Sequence, residues 1–95
     1  MMYSVSPELY REAAARLAEA VGGSNYFSGT VRFPFGDTEC RLTGSVIVYR
    51  KRESLPEGDG ERIADLVPVW WEFHTSIEGR EVLNDFSFSQ LRACL

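Results

Sequence analysis

Three side chains in this sequence could do chemistry together: Glu72, His74 and Asp85. Glu72 and His74 stand two positions apart in LVPVWWEFHTSI, residues 66–77, so in a strand they share a face. A hairpin turn between His74 and Asp85 would return Asp85 beside Glu72. Two carboxylates next to a histidine suit acid–base catalysis or a hard or borderline metal ion. They suit equally well a solvated strand face on which arginines neutralise the acids. No further ligand is identifiable in the sequence, and an open sheet face is not a pocket, so the expectation is no metal, no cofactor and no catalytic group.

Cys40 and Cys94 are the remaining reactive candidates. Their spacing is not that of metal ligands and two are too few for a disulfide framework, so both read as buried thiols. Strand alternation also places Cys40 and His74 on opposite faces, which argues against a nucleophile pair.

Tyr49-Arg50-Lys51-Arg52 sets a basic cluster beside an aromatic ring, and aromatics on a four-stranded sheet are how some RNA-binding folds stack bases. The basic–Gly–aromatic pattern of such folds is absent from NYFSGTVRF, and the acidic stretch 53–61 would repel phosphate. Ten basic against fourteen acidic residues, a net charge of −4, argue further against a general nucleic-acid binder. The charge is uneven along the chain. Residues 30–52 carry Arg32, Arg41, Arg50, Lys51 and Arg52 against Asp37 and Glu39, whereas residues 53–85 carry nine acids against Arg62 and Arg80.

The elements that position these groups follow from length and periodicity. Ninety-five residues make one small domain, which buries roughly 60–70% of its unfolded surface in a single two-layer core. A hydrophobic content of 44% is ordinary for a globular chain. The early apolar-rich segment LYREAAARLAEAV is interrupted by Arg11, Glu12, Arg16 and Glu19, so no signal peptide is visible, and no run approaches transmembrane length. A reducing cytoplasm is the expected compartment.

Ser6 as cap, Pro7 at the first helical position and Glu8 in the first turn predict a helix over 7–21. Its apolar face carries Tyr10, Ala13, Ala14, Leu17 and Val21, and Gly22-Gly23 ends it. The period then changes to two. NYFSGTVRF and TECRLTGSVIVY read as strands joined at a Gly36-Asp37 turn, and a polar connection, RKRESLPEGDGE, follows. A third strand over about 63–76, a turn at Glu78-Gly79, a fourth strand over about 80–88 and a short helical tail complete the chain. The fold class is α+β: an N-terminal helix on one face of a four-stranded antiparallel meander. Pro68 cannot donate to a ladder, so a bulge or a frayed end is expected near it.

The turns suggest the register. The first hairpin pairs Phe33 with Cys40, Arg32 with Arg41 and Gly29 with Gly44. The last pairs Trp71 with Phe86, Glu72 with Asp85 and His74 with Leu83. Matching inner to inner faces sets Leu42 beside Trp71 and Arg41 beside Glu72. Phe27, Val31, Phe33, Leu42, Val46, Val67, Val69, Trp71, Phe73, Phe86 and Phe88 then face the helix. Gly29 and Gly44 side by side, opposite Ala13, Ala14 and Ala18, would let the helix approach closely.

The other face carries Tyr26, Ile47, Tyr49, Leu66, Pro68 and Trp70 at one end and a row of Arg32, Arg41, Glu72 and Asp85 across the other. A helix of fifteen residues, about 22 Å long, covers one face only. Either the tail or a second copy must cover the apolar group, and exposed apolar patches mark interfaces. The expectation is a non-enzymatic interaction module, a homodimer or a binder of a protein partner. Ile47, Tyr49, Leu66 and Trp70 would supply contact area, and Arg32, Arg41, Glu72 and Asp85 would set register. The competing expectation is a small-ligand or metal site at Glu72, His74 and Asp85.

Overall fold

The helix α1, Pro7–Val21, forms where its signals place it. The Ser6 side chain accepts a hydrogen bond from the Leu9 N–H at 3.2 Å, Pro7 opens the helix, and Gly22 ends it at φ 58° with its N–H on the Ala18 carbonyl. The computed structural model describes residues 2–95, apart from the side chains of Leu55 and Asp59. Leu9, Tyr10, Ala13, Ala14, Leu17 and Val21 form the buried stripe of α1.

Five strands and a second helix complete the chain: β1, Met2–Tyr3; β2, Tyr26–Phe35; β3, Thr38–Leu55; β4, Gly58–Ile77; β5, Arg80–Asn84; and α2, Phe88–Arg92. They form one sheet in the order β1-β5-β4-β3-β2, antiparallel except for β1 against β5. The class is α+β, but the sheet is mixed and has five strands, because Met2 and Tyr3 add a parallel edge against Leu83 and Asn84. Two residues are too few to show a period in a sequence.

The first hairpin has the register its turn dictates, with Phe33 opposite Cys40, Arg32 opposite Arg41 and Gly29 opposite Gly44. Gly36 opens the turn at φ 61°, a conformation that costs glycine nothing. β3 and β4 pair along their whole length, so RKRESLPEGDGE is an extension of the hairpin closed at Pro56-Glu57 and not a loop. Beyond the core neither ribbon face needs to be apolar, which removes the alternation that would have marked it as strand. Arg62 and Glu53 pair across this ribbon at 2.7 Å.

Leu42 lies opposite Phe73 and Arg41 opposite His74, two residues from the expected pairing. A two-residue slip preserves the faces, so Leu42, Phe33 and Phe73 are buried as the alternation requires. Beyond this point a bulge intervenes. Ser45 pairs with Trp70 but Val46 pairs with Pro68, which makes Val69 the additional residue. From there to Asp65 the faces are exchanged, until a second bulge, with Ala64 as its additional residue, exchanges them back. Leu66, expected on the open face, lies opposite Val48 and is fully buried at 0% exposure, whereas Val69, expected in the core, is 64% exposed.

Gly44 sits at this bulge. A Cβ on Gly44 would stand 2.5 Å from the Trp70 carbonyl oxygen and 3.0 Å from the Trp71 Cα, while a Cβ on Gly29 would meet only the Phe27 ring, at 3.3 Å. The strand glycines therefore accommodate the neighbouring strand and a ring, and not a close approach of the helix as the alanines of α1 had suggested.

β5 pairs with β4 only from Thr75 to Ile77, so neither Trp71–Phe86 nor Glu72–Asp85 forms as a ladder pair. Asn84 causes this early end. Its side-chain amide donates to the Phe73 carbonyl at 3.0 Å, and its oxygen accepts the Phe86 N–H at 3.1 Å, which turns the chain out of the sheet. Phe86 still reaches the core and stacks on Phe73 at a centroid distance of 4.1 Å. Beyond Thr75, β4 is an edge, where a proline is tolerated.

The α2 residues Phe88 and Leu91 join the α1 core, so the C-terminal tail packs on the same face as the first helix. Arg92 ties it to β4 by hydrogen bonds of 2.9 and 2.5 Å to Asp65. The guanidinium holds the Asp65 carboxyl below its ordinary range. This contribution is complete above the ordinary aspartate pKa and is lost as pH falls through the lowered value. Among the described residues, no helix is long and apolar enough to cross a membrane.

Substituting Gly44→Ala should lower the unfolding free energy by about 2–3 kcal/mol, the upper range for overpacking, because the obstructing atoms are backbone. Gly29→Ala should cost less than about 1 kcal/mol, because a phenyl ring can yield. Urea unfolding of the two variants beside the parent checks the contrast.

Candidate functional site

Both helices lie on one side of the sheet, which leaves the other side as a continuous surface of side chains from β2, β3 and β4. Register defines its rows. At one end Tyr26, Ile47 and Val67 stand side by side, with Trp70 beside Ser45 one row inward and Tyr49 beside Asp65 one row outward. Tyr26 and Tyr49 are each 53% exposed, Trp70 47% and Ile47 39%. Three of the four apolar contact residues expected from the sequence, Ile47, Tyr49 and Trp70, are thus brought together. Leu66 is not among them. Val67 takes its place through the bulge, and no feature of the local sequence distinguishes the two.

The middle rows are hydroxyls paired across strands. Ser28 and Ser45 share a hydrogen bond of 2.9 Å, and Thr30 and Thr43 share one of 3.0 Å. Each pair satisfies itself, and Glu72 on β4 extends the Thr30–Thr43 row as its one charged member.

At the far end Arg32, Arg41 and His74 form one row across three strands. The Glu81 carboxylate lies 3.0 Å from His74 Nδ1 and 3.8 Å from the Arg41 guanidinium, and the Glu72 carboxylate lies 3.2 Å from His74 Nε2. The result is a chain of contacts running Glu72, His74, Glu81, Arg41. Asp85 is not part of it. Its carboxylate accepts the Val5 N–H at 2.7 Å, beside β1, because β5 has already ended. Glu81 fills the role assigned to Asp85, and the Glu78-Gly79 turn alone would have placed it opposite Ser76 on this face. A hollow of about 250 Å3 opens between Arg32, Glu39, Arg41, His74, Ser76 and Glu81.

This geometry does not gather metal ligands. Glu72 and Glu81 approach opposite nitrogens of the imidazole, so their oxygens diverge and do not converge on one point. Among the described residues, no three His, Cys, Asp or Glu side chains are arranged to hold a metal ion.

Cys40 is buried beneath the sheet, where burial, together with the charge of Glu39, pushes its thiol up to about 11. A thiol so disposed is not a nucleophile near neutral pH. Cys94, expected to be buried, is exposed because α2 ends before it and the inward face of α2 is Phe88 and Leu91. The basic cluster is likewise divided. Arg50 points back to the end of α1 and donates to the carbonyls of Gly22 and Ser24 at 2.6 and 2.8 Å, where a cation suits the helix dipole.

No protein-family model, curated protein or solved structure matches this chain.

Thiol labelling of the folded protein at pH 8 should modify Cys94 rapidly and spare Cys40 until the chain unfolds. Mass spectrometry of the labelled peptides distinguishes the sites, and fast native labelling of Cys40 would contradict the burial described.

Proposed function

We propose that the protein is a non-enzymatic interaction module that self-associates through its open sheet face. The observation that carries this reading is a contiguous apolar group, Tyr26, Ile47, Tyr49, Val67 and Trp70, on a face that neither helix covers. Folding has used the tail elsewhere, so the cover that such a patch calls for must come from outside the chain.

The dimensions are adequate. From Glu39 to Tyr49 the strands rise roughly 33 Å, and three strands are roughly 15 Å wide, so each copy offers about 500 Å2 in projection. Two copies together reach the roughly 1,000 Å2 at which specific interfaces begin. Trp70, Ile47 and Tyr49 supply the desolvated centre, while Arg32, Arg41, Glu72 and Glu81 set orientation at the rim.

Trp70→Asp should convert the wild-type dimer to a monomer in light-scattering measurements without altering the circular dichroism spectrum. A wild type that remains monomeric at high micromolar concentration overturns the proposal.

The other reading, a small-ligand or metal site at Glu72, His74 and Asp85, retains only Glu72 and His74 as neighbours. Divalent zinc, manganese or magnesium should therefore leave both the melting temperature and the His74 ring resonances unchanged. A shift of either would restore that reading.

A further inference from the structure

The charged end of the open face is asymmetric from left to right as well as from end to end. Its fixed cations, Arg32 and Arg41, stand on β2 and β3 with one acid, Glu39, at the end of β3, whereas Glu72 and Glu81 stand on β4 and β5 with no fixed cation on those strands at this end of the face. The β2–β3 side is therefore net positive and the β4–β5 side net negative. The apolar group, by contrast, extends across β2, β3 and β4 at the other end. These two asymmetries restrict how a second copy can lie on the first.

Two-fold axes in the plane between the faces can run along the strands or across them. An axis across the strands through the centre of the face lays the apolar end of one copy on the charged end of the other, which desolvates charge against Trp70. Moving that axis to the apolar end avoids this but leaves the charged half outside the contact. An axis along the strands keeps each end against its own kind. It also exchanges left and right, so the β2–β3 cations fall on the β4–β5 acids of the partner.

We infer that two copies pack face to face about a two-fold axis running along the strands between β3 and β4, with Arg32 and Arg41 of each copy against Glu72 and Glu81 of the other. This rests on the self-association proposed above and adds its orientation. Placing the axis between β3 and β4 sets Arg41 over the partner's His74 row, Ile47 over the partner's Val67 and Ser45 beside the partner's Trp70. An axis on β3 itself would bring Arg41 against its own copy. The arrangement also meets the directly opposed pair of Arg32 and Arg41, which is unfavourable within one sheet: Glu81 approaches Arg41 alone, and the partner's acids bring charge of the opposite sign to both arginines.

Two experiments test the orientation. In a Cys94→Ser background, Thr43→Cys places thiols one strand spacing apart laterally, about 5 Å, whereas Thr30→Cys places them three spacings apart, about 14 Å. A short bifunctional thiol reagent should cross-link the first into a covalent dimer and leave the second monomeric on a denaturing gel. Separately, the Arg32→Glu/Arg41→Glu chain and the Glu72→Lys/Glu81→Lys chain should each self-associate at least about tenfold more weakly than wild type, and their mixture should regain wild-type affinity.

Cross-linking at Thr30→Cys in preference to Thr43→Cys overturns the orientation, as does undiminished self-association of both charge variants. Either result leaves self-association standing if Trp70→Asp still disrupts it. A monomeric wild type overturns both.

Discussion

Where Ser45 and Val46 pair with Trp70 and Pro68, β4 carries one residue more than β3, and the alternation of the longest strand reverses. The arrangement of both sheet faces depends on this point. Pro68 has no N–H to give to a ladder, and the extra residue, Val69, absorbs the discontinuity. Gly44 allows the displaced backbone of β4 to lie where a side chain would otherwise stand. Because of the reversal, Leu66 enters the core and Val67 emerges beside Tyr26 and Ile47. Without it, the apolar end of the open face would have a different composition and the core would lose a fully buried leucine.

The early end of β5 is the second constraint, and it bears on which surface is available for association. Asn84 replaces a ladder bond with its own amide and sends Phe86 and α2 beneath the sheet. This covers one face twice and the other not at all. It also leaves β4 without a strand neighbour beyond Thr75, an edge that in a flat strand would invite pairing with other chains. Pro68 and the bulge at Val69 lie on that stretch and make it a poor template, as edge strands in natural sheets commonly require. The edge is thus poorly suited to strand addition.

The polar residues of the open face are arranged for mutual neutralisation. Serine and threonine hydroxyls pair across the first hairpin, Glu81 lies between Arg41 and His74, and Glu72 contacts the other nitrogen of the same imidazole. Exposed ion pairs of this kind add little to stability, about 1 kcal/mol or less each. Their effect is on which surface can be laid against them, since a misplaced like charge is costly once water is excluded.

The sequence by itself determined α1 from cap to terminating glycine, the first hairpin to the residue, and the helix-facing strand residues Phe33, Leu42 and Phe73; Phe86 and Phe88 are buried as expected but from beyond the end of β5, not from a strand. Each of the first three follows from a local cause: a cap, a two-residue turn or an unbroken period. It also brought Ile47, Tyr49 and Trp70 to one face, since the parity of β3 is continuous and Trp70 lies on the unshifted side of the bulge. Only the tertiary structure decided that Leu66 is buried, that Glu81 replaces Asp85, that Met2 and Tyr3 form a strand, and that Cys94 stays at the surface. These depend on which residue the bulge chose and on where β5 left the sheet. Both were settled by competition between distant segments for the same ladder and the same core, and no window of neighbouring residues contains that competition.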